Sequence, residues 1–269
     1  MPFVTHKLNS LVYLTASVLD DAPGITHGFS TRLGGVSKPP CDTLNMAPNR
    51  GNDRPAVEEN YRRFCGAIGA DPLRPVLAQQ VHETAVLPVT EADAGKGLWK
   101  ERDFTADALI TNVPNLPLTV FSADCGILLL HDPVAGCVGA VHAGWRGCAA
   151  GIVEKAVGEL QRLYGAAPEN LLCAIGPAIG QCCFETDGDV PQAMTDALGA
   201  DAAPYLEHRG SKWHVDLSGL NRQWLLRSGV LPEHIDTCAL CTYCHPELFW
   251  SYRRVGGARG AQCAMIALK

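Results

Sequence analysis

Between Pro75 and His142 the chain carries a succession of short apolar and β-branched runs: Val76 to His82, Thr84 to Val89, Ala108 to Thr111, Leu118 to Phe121, Ile127 to His131 and Cys137 to His142. Each has the length and residue types of a strand, and strands must pair sideways to satisfy their backbone groups, so this stretch predicts a sheet. Helical patterns flank it. Asp53 can cap a helix with Pro55 in its first turn, and Val57, Tyr61, Phe64, Cys65 and Ile68 recur at helical spacing before Gly69. A second stripe, Ile152, Val153, Ala156, Val157, Leu160 and Leu163, ends at Gly165. Further helices are expected around Val190 to Leu198 and over Leu217 to Leu226, with strands at Leu171 to Ile175, His234 to Leu240 and Gln262 to Leu268. The order lacks regular βαβ alternation, internal repeats or a linker, which predicts one α+β domain over residues 1–269 with a mixed sheet. Residues 24 to 51, punctuated by glycine and proline, are expected to hold little regular structure.

The net charge of −6 gives no basic footprint for nucleic acid or anionic membranes, and no apolar run reaches the roughly 18 residues of a membrane span. Met1 to Lys7 carries one basic side chain and no small-residue cleavage pattern precedes Asp20-Asp21, so no signal peptide is expected. The 12 cysteines are therefore read as mostly reduced in a cytoplasmic protein, several of them buried as small apolar residues.

Polar residues break the strand-like runs at three places. His82 ends Gln79-Gln80-Val81-His82, Cys125 follows Ser122-Ala123-Asp124, and His142 ends Val138-Gly139-Ala140-Val141-His142. Side chains at strand ends can converge on one edge of a sheet, and two imidazoles with a thiolate suit zinc with a fourth position open to water or substrate. The spacing fits no local zinc motif and equally suits three separate core or loop residues. The turn Ala143-Gly144-Trp145-Arg146-Gly147 suits a phosphate or carboxylate at a helix start, with Arg146 adding a bidentate contact, or simply a tight strand-to-helix turn. Ser30 to Gly35, with Arg32, repeats those residue types in a loop. Two other groups are set aside. Cys238, Cys241, Cys244 and His245 have ligand chemistry but no second Cys-x-x-Cys, and adjacent Cys182-Cys183 read as packing. His245-Pro246-Glu247 mimics the His-x-Glu of zinc deaminases, but the cysteines precede it instead of following.

Taken together, His27 to Ser37, Leu44-Asn45, Gln80-Val81-His82, Ala106 to Leu109, Ala123-Asp124-Cys125, His142 to Gly147, Ile175 to Gly180 and Phe249 to Arg254 resemble the YfiH family, also called the laccase-domain or multicopper polyphenol oxidase family. The resemblance spans residues 27 to 254. It implies a multilayer α/β sandwich and a metal held by His82, Cys125 and His142. Members are described as purine nucleoside phosphorylases that also deaminate adenosine and cleave methylthioadenosine, as polyphenol oxidases, and as editors of peptidoglycan precursors. The tail Gly257-Ala258-Arg259-Gly260 departs from the family's frequent Thr-Gly-Arg, so no role is carried over to Arg259.

A blue multicopper oxidase needs a mononuclear site and a trinuclear cluster fed by His-x-His pairs, and none of the nine histidines forms such a pair. A single copper remains an alternative metal. The expected reaction is zinc-dependent phosphorolysis of a purine nucleoside, with adenosine deamination beside it. Its partners are the nucleoside and phosphate, and Arg32, Asn45, Arg146 and Arg253 are the candidate substrate or phosphate contacts. The competing readings are a cysteine- or metal-dependent amide hydrolase editing peptidoglycan precursors, with Cys125 as nucleophile and His142 as base in the cysteine form, a single-copper polyphenol oxidase, and a binding domain without turnover.

Overall fold

The computed structural model describes residues 2–51 and 53–269. Two six-stranded sheets lie face to face. The first runs in the order Phe3–Leu8, Leu11–Ala16, Ile25–Ser30, Gln262–Leu268, Leu118–Ser122, Val76–Leu77; only the last pair is parallel. The second runs Ile235–Thr237, Leu172–Ile175, Gly126–Asp132, Cys137–Ala143, Ala108–Thr111, Val86–Pro88, with parallel pairs at its two edges. A small antiparallel sheet of Glu185–Thr186, Lys212–Val215 and Leu206–Arg209 stands apart.

The near-continuous apolar runs have a simple cause: the central strands are covered on both faces. Along Gln262–Leu268, Ala264 and Ile266 point between the sheets and meet Phe29, Leu109, Leu129 and Val138, while Cys263 and Met265 point outward to Val57, Tyr61 and Phe64. Along Gly126–Asp132, Ile127 and Leu129 face inward, and Leu128 and Leu130 meet Ile152, Val153 and Leu160. The helix Arg54–Ile68 thus covers one outer face, and Ile152–Tyr164 with Leu217–Arg227 covers the other. The fold is a four-layer α/β/β/α sandwich of mixed sheets, in the α+β class. The helix signals act as read: Asp53 accepts from Ala56 N–H at 3.1 Å, and Gly69 and Gly165 end their helices in the left-handed conformation.

Some elements differ from expectation. Ile25–Ser30 is a central strand, not loop, and Gly28 sits in it because a Cβ there would lie 2.8 Å from Ile68 in the helix packed above. The run from Val76 stops pairing at Leu77, the next shortens to Val86–Pro88, and His234 to Leu240 keeps strand only over Ile235–Thr237. None of the described helices is long and apolar enough to cross a membrane.

Candidate metal centre and active-site cavity

His82, Cys125 and His142 meet at one end of the sandwich. His142 is the penultimate residue of Cys137–Ala143, on its inward face. Cys125 lies in the corner where the chain leaves Leu118–Ser122 in one sheet for Gly126–Asp132 in the other, a turn closed by Ser122 Oγ donating to the Cys125 carbonyl at 2.6 Å. His82 lies not on a strand but in a loop, with φ of 63°. Two devices hold that loop. Gln80 extends the ladder with its amide, accepting from Phe121 N–H at 2.7 Å and donating to the Phe121 carbonyl at 2.8 Å. The buried Asp107 carboxylate then gathers the N–H groups of Val81, His82 and Glu83 at 3.2, 3.0 and 2.9 Å, so an anion organises the turn that presents His82.

The same carboxylate bonds His142 Nδ1 at 2.8 Å, which turns the other ring nitrogen to the site. The ligand atoms of the three residues lie within 4.8 Å of one another; Cys125 Sγ is 3.9 Å from His82 Nε2, and the two rings meet edge to face at 4.9 Å. Gly144 leaves room for them, since a Cβ would fall 3.0 Å from Cys125 Sγ and 3.2 Å from His82 Cδ2. Two imidazoles, one thiolate and a carboxylate behind one imidazole fit a divalent metal of the zinc and copper type. Burial works against charge on Cys125, His142 and Asp107, but the network outweighs it. His142 and His82 pull the Cys125 thiol down to about 6, the Cys125 thiolate and Asp107 push His142 up to about 9, and bonds from His142, Glu83 and Val81 hold Asp107 below the usual carboxylate value.

Two cavities meet at the triad. One, of about 220 Å³, is walled by Gln79, Gln80, Arg50, Arg102 and Arg259; the other, of about 380 Å³, by Trp145, Ile179, Phe184, Leu217, Tyr252 and Arg253. His82, Cys125, Arg50 and Arg259 border both. Arg102 is occupied by Gln79 and the carbonyls of Leu77 and Ala78. Arg259 is buried, its Nε has no hydrogen-bond partner, and burial followed by the nearby Arg50 lowers its pKa from the usual value. Arg50 and Arg259 face one space and can offer donors to an anion, with the Asp124 carboxylate on the same wall and near Arg259. Asp124, beside Cys125, ties the walls together: with φ of 97° it accepts from Thr242 Oγ1 at 2.6 Å, Ser251 Oγ at 3.1 Å and Arg253 N–H at 2.7 Å.

Of the polar contacts expected from sequence, Arg253 borders the larger cavity and donates to the Glu185 carbonyl at 2.8 Å. Arg32, Asn45 and Arg146 lie outside the walls of both cavities. Arg32 stacks over Trp250 at 4.0 Å and donates to the carbonyls of Pro246 and Asp42; Asn45 spends its amide on the Ala47 and Ala261 N–H groups and the Ala47 and Arg50 carbonyls. Arg146 is exposed, stacked on Trp145 at 4.2 Å. Asp107, Asp124, Arg50 and Arg259 were not assigned from sequence; a carboxylate in the apolar run Ala106 to Leu109 was the available signal. Cys182 and Cys183, read as packing, come together with Cys241 and Cys244, whereas Cys238 and His245 stay out of that group.

Fold and site therefore define an α/β/β/α sandwich with a His-Cys-His centre opening on a divided cavity. Residues 26–269 match the family described as multi-copper polyphenol oxidoreductase laccase, and the chain belongs to that family. The chain is 36% identical over 249 residues to the purine nucleoside phosphorylase YlmD of Geobacillus stearothermophilus, covering 90% of each. It is 39% identical over 231 residues to the purine nucleoside phosphorylase YfiH of Escherichia coli K12, covering 86% of this chain and 89% of that one. Among solved structures, the hypothetical protein YfiH of Bacillus licheniformis superposes with a TM-score of 0.92 at 31% identity, covering 100% of this chain and 99% of that one. YlmD of Geobacillus stearothermophilus superposes at 0.90 with 34% identity, covering 100% of both. The described residues hold two groupings able to bind metal, this triad and the four cysteines, and neither has the many histidines of a trinuclear copper cluster.

Proposed function

We propose that the chain is a zinc-dependent purine nucleoside phosphorylase, converting adenosine, inosine or methylthioadenosine and phosphate to free base and sugar 1-phosphate, and that the same centre deaminates adenosine. The carrying observation is the divided cavity: two lobes that join at the triad and share Arg50 and Arg259, the larger adding the aromatic walls Trp145, Phe184 and Tyr252. The names of the relatives point the same way.

Trp145, Phe184 and Tyr252 offer flat apolar surface for a purine, with Arg253 at its edge. Arg259 and Arg50 take the phosphate. A phosphate oxygen bonds to the anomeric carbon as the bond to the base breaks and its electron pair leaves on the purine, and the arginines hold the nucleophile in line while positive charge grows on the sugar. His82, Cys125 and His142 would hold the zinc, which would supply a Lewis acid and would lower the pKa of a bound water toward about 7 for deamination. Asp107 keeps His142 oriented and His82 in place. Arg32, Asn45 and Arg146 act at a distance, Asn45 by shaping the loop that carries Arg50. Turnover needs a reduced Cys125, consistent with a cytoplasmic setting.

One observation favours a second reading, amide hydrolysis. Without metal, Cys125 and His142 form a thiolate–imidazolium pair backed by Asp107, the arrangement of a cysteine nucleophile and its base. Chromatography of adenosine incubated with metal-analysed protein, with and without phosphate and before and after chelation, separates the two. Adenine with ribose 1-phosphate, dependent on phosphate and lost on chelation, is the expected result, with inosine appearing in the absence of phosphate. Unchanged adenosine throughout would sink the nucleoside reading and leave the amide hydrolase.

A further inference from the structure

We propose that Cys182, Cys183, Cys241 and Cys244 form a second, structural metal site, a tetrathiolate of the zinc type. It does not rest on the phosphorylase reading. All four sulfurs lie within 4.8 Å of one another, with Cys182 Sγ and Cys183 Sγ at 3.7 and 3.4 Å from Cys244 Sγ. Four sulfurs arranged tetrahedrally at about 2.3 Å from zinc stand about 3.8 Å apart, whereas a disulfide brings two to about 2.0 Å. The two spacings to Cys244 are close to the first arrangement and far from the second, and all four cysteines are free.

The backbone is shaped for it. Cys241-Thr242-Tyr243-Cys244 is a Cys-x-x-Cys turn in which the N–H groups of Tyr243 and Cys244 donate toward Cys241 Sγ, joined from the facing loop by Gly180 N–H at 3.1 Å. Such donors offset the charge that a thiolate brings to a metal. On the other side, Cys183 and Phe184 N–H both bond the Gly180 carbonyl at 2.9 Å, and this turn lets two neighbouring side chains face one point. Gly180 leaves room there, since a Cβ would stand 3.2 Å from Cys241 Cβ and 3.3 Å from Cys182 Sγ. A Cys-x-x-Cys without a second copy in sequence thus finds its other two ligands in an adjacent pair from another loop.

With all four positions filled by protein sulfur, the site has no opening for substrate, which makes it structural. It would clamp the loop that carries Ile179 and Phe184 to the loop whose Thr242 bonds Asp124, next to Cys125.

The test is metal stoichiometry and cobalt spectroscopy on the full chain. Wild type should hold two zinc ions, Cys125→Ala one, and Cys182→Ser/Cys244→Ser one, the last with a lower Tm and turnover within a few-fold of wild type. Stripped Cys125→Ala reloaded with cobalt(II) alone should give the intense sulfur-to-cobalt charge-transfer and visible bands of a four-thiolate ion. This measurement stands even if the double variant fails to fold. Absence of those bands, equal metal content in wild type and a folded double variant, or an intact mass and thiol count showing a disulfide in freshly reduced protein would each overturn the proposal.

Discussion

The two cysteine-containing centres differ in what surrounds them. His82, Cys125 and His142 offer three ligands of two kinds, with a buried carboxylate behind and two cavities in front. The four cysteines offer one kind of ligand, backbone N–H groups behind Cys241, and no carboxylate among their hydrogen-bond partners in the described residues. An open mixed site suits chemistry, whereas a closed sulfur site suits holding two loops together. The contrast teaches that the number and kind of ligands, read with the space in front of them, separate a reactive centre from a clamp even where both contain cysteine.

The largest expected effect tests that division directly. Cys125→Ala removes the thiolate at the mouth of both cavities, and the loss of several kcal/mol of transition-state stabilisation corresponds to a fall in kcat on the order of 10³-fold or more. The fold should persist, because Cys125 lies in a turn held by Ser122 and its side chain packs in no core cluster. Cys182→Ser/Cys244→Ser should show the reverse, a lowered Tm with turnover largely kept. Steady-state kinetics and thermal melts on both variants check the pair; a fully active Cys125→Ala would abolish the distinction.

Next comes the carboxylate that one centre has and the other lacks. In Asp107→Asn one acceptor oxygen becomes a donor, so either the N–H groups of Val81 and Glu83 or the contacts to His82 and His142 lose their partner. Metal affinity of the triad should fall about 10–100-fold, read by competition with a chelator, while the tetrathiolate keeps its ion. The buried N–H groups left unpaired should cost about 1–3 kcal/mol of stability. The wild-type carboxylate is held below its ordinary value of 3.8, so its contribution is present above that pH and lost as the pH falls through the lower folded value. Asp107→Asn should lack that component of acid unfolding. Unaltered metal affinity would show that the backing carboxylate is dispensable.

How much of this could be read from the chain follows from what each residue's role depends on. The triad was legible because histidine and cysteine interrupting apolar runs are chemically conspicuous, and the resemblance independently pointed to the same three. The helices were legible because Asp53 and Gly165 act within a turn of their own positions. Asp107 was not, since its work depends on a loop 24 to 26 residues upstream folding around it. Arginine beside glycine announces a flexible cationic loop but not the direction of the side chain; Arg32 and Arg146 turned away from the cavities, and Arg50 and Arg259 took their walls. Cys182-Cys183 looked like packing because the partner sulfurs come from another loop, 58 to 62 residues away.

The open side of the triad can be sharpened arginine by arginine. Arg259→Ala should raise the KM for phosphate by about 10-fold or more, since a charge-assisted hydrogen bond is worth about 1.5–3 kcal/mol, and the KM for nucleoside by a smaller factor, through Tyr252, over which its guanidinium lies at 5.4 Å. Varying phosphate at saturating nucleoside, and then the reverse, reads the split. An equal rise in both constants would mean that Arg259 shapes the pocket without marking the phosphate lobe.

Arg146→Ala should have the smallest effect, and it fixes where the phosphate lobe ends. Its guanidinium lies over Trp145 at the protein surface, a contact worth about 0.5–1 kcal/mol at an exposed position, and it borders neither cavity. Losing it should loosen Trp145 and shift the KM for nucleoside by no more than a few-fold, because Trp145 walls the aromatic lobe. The KM for phosphate should stay within about twofold of wild type, on the reasoning that an exposed charge acting through solvent is screened over a distance of about 8 Å. A phosphate effect as large as that of Arg259→Ala would instead extend the anion site to the turn after His142 and make the start of the helix Trp145–Ala149 part of it.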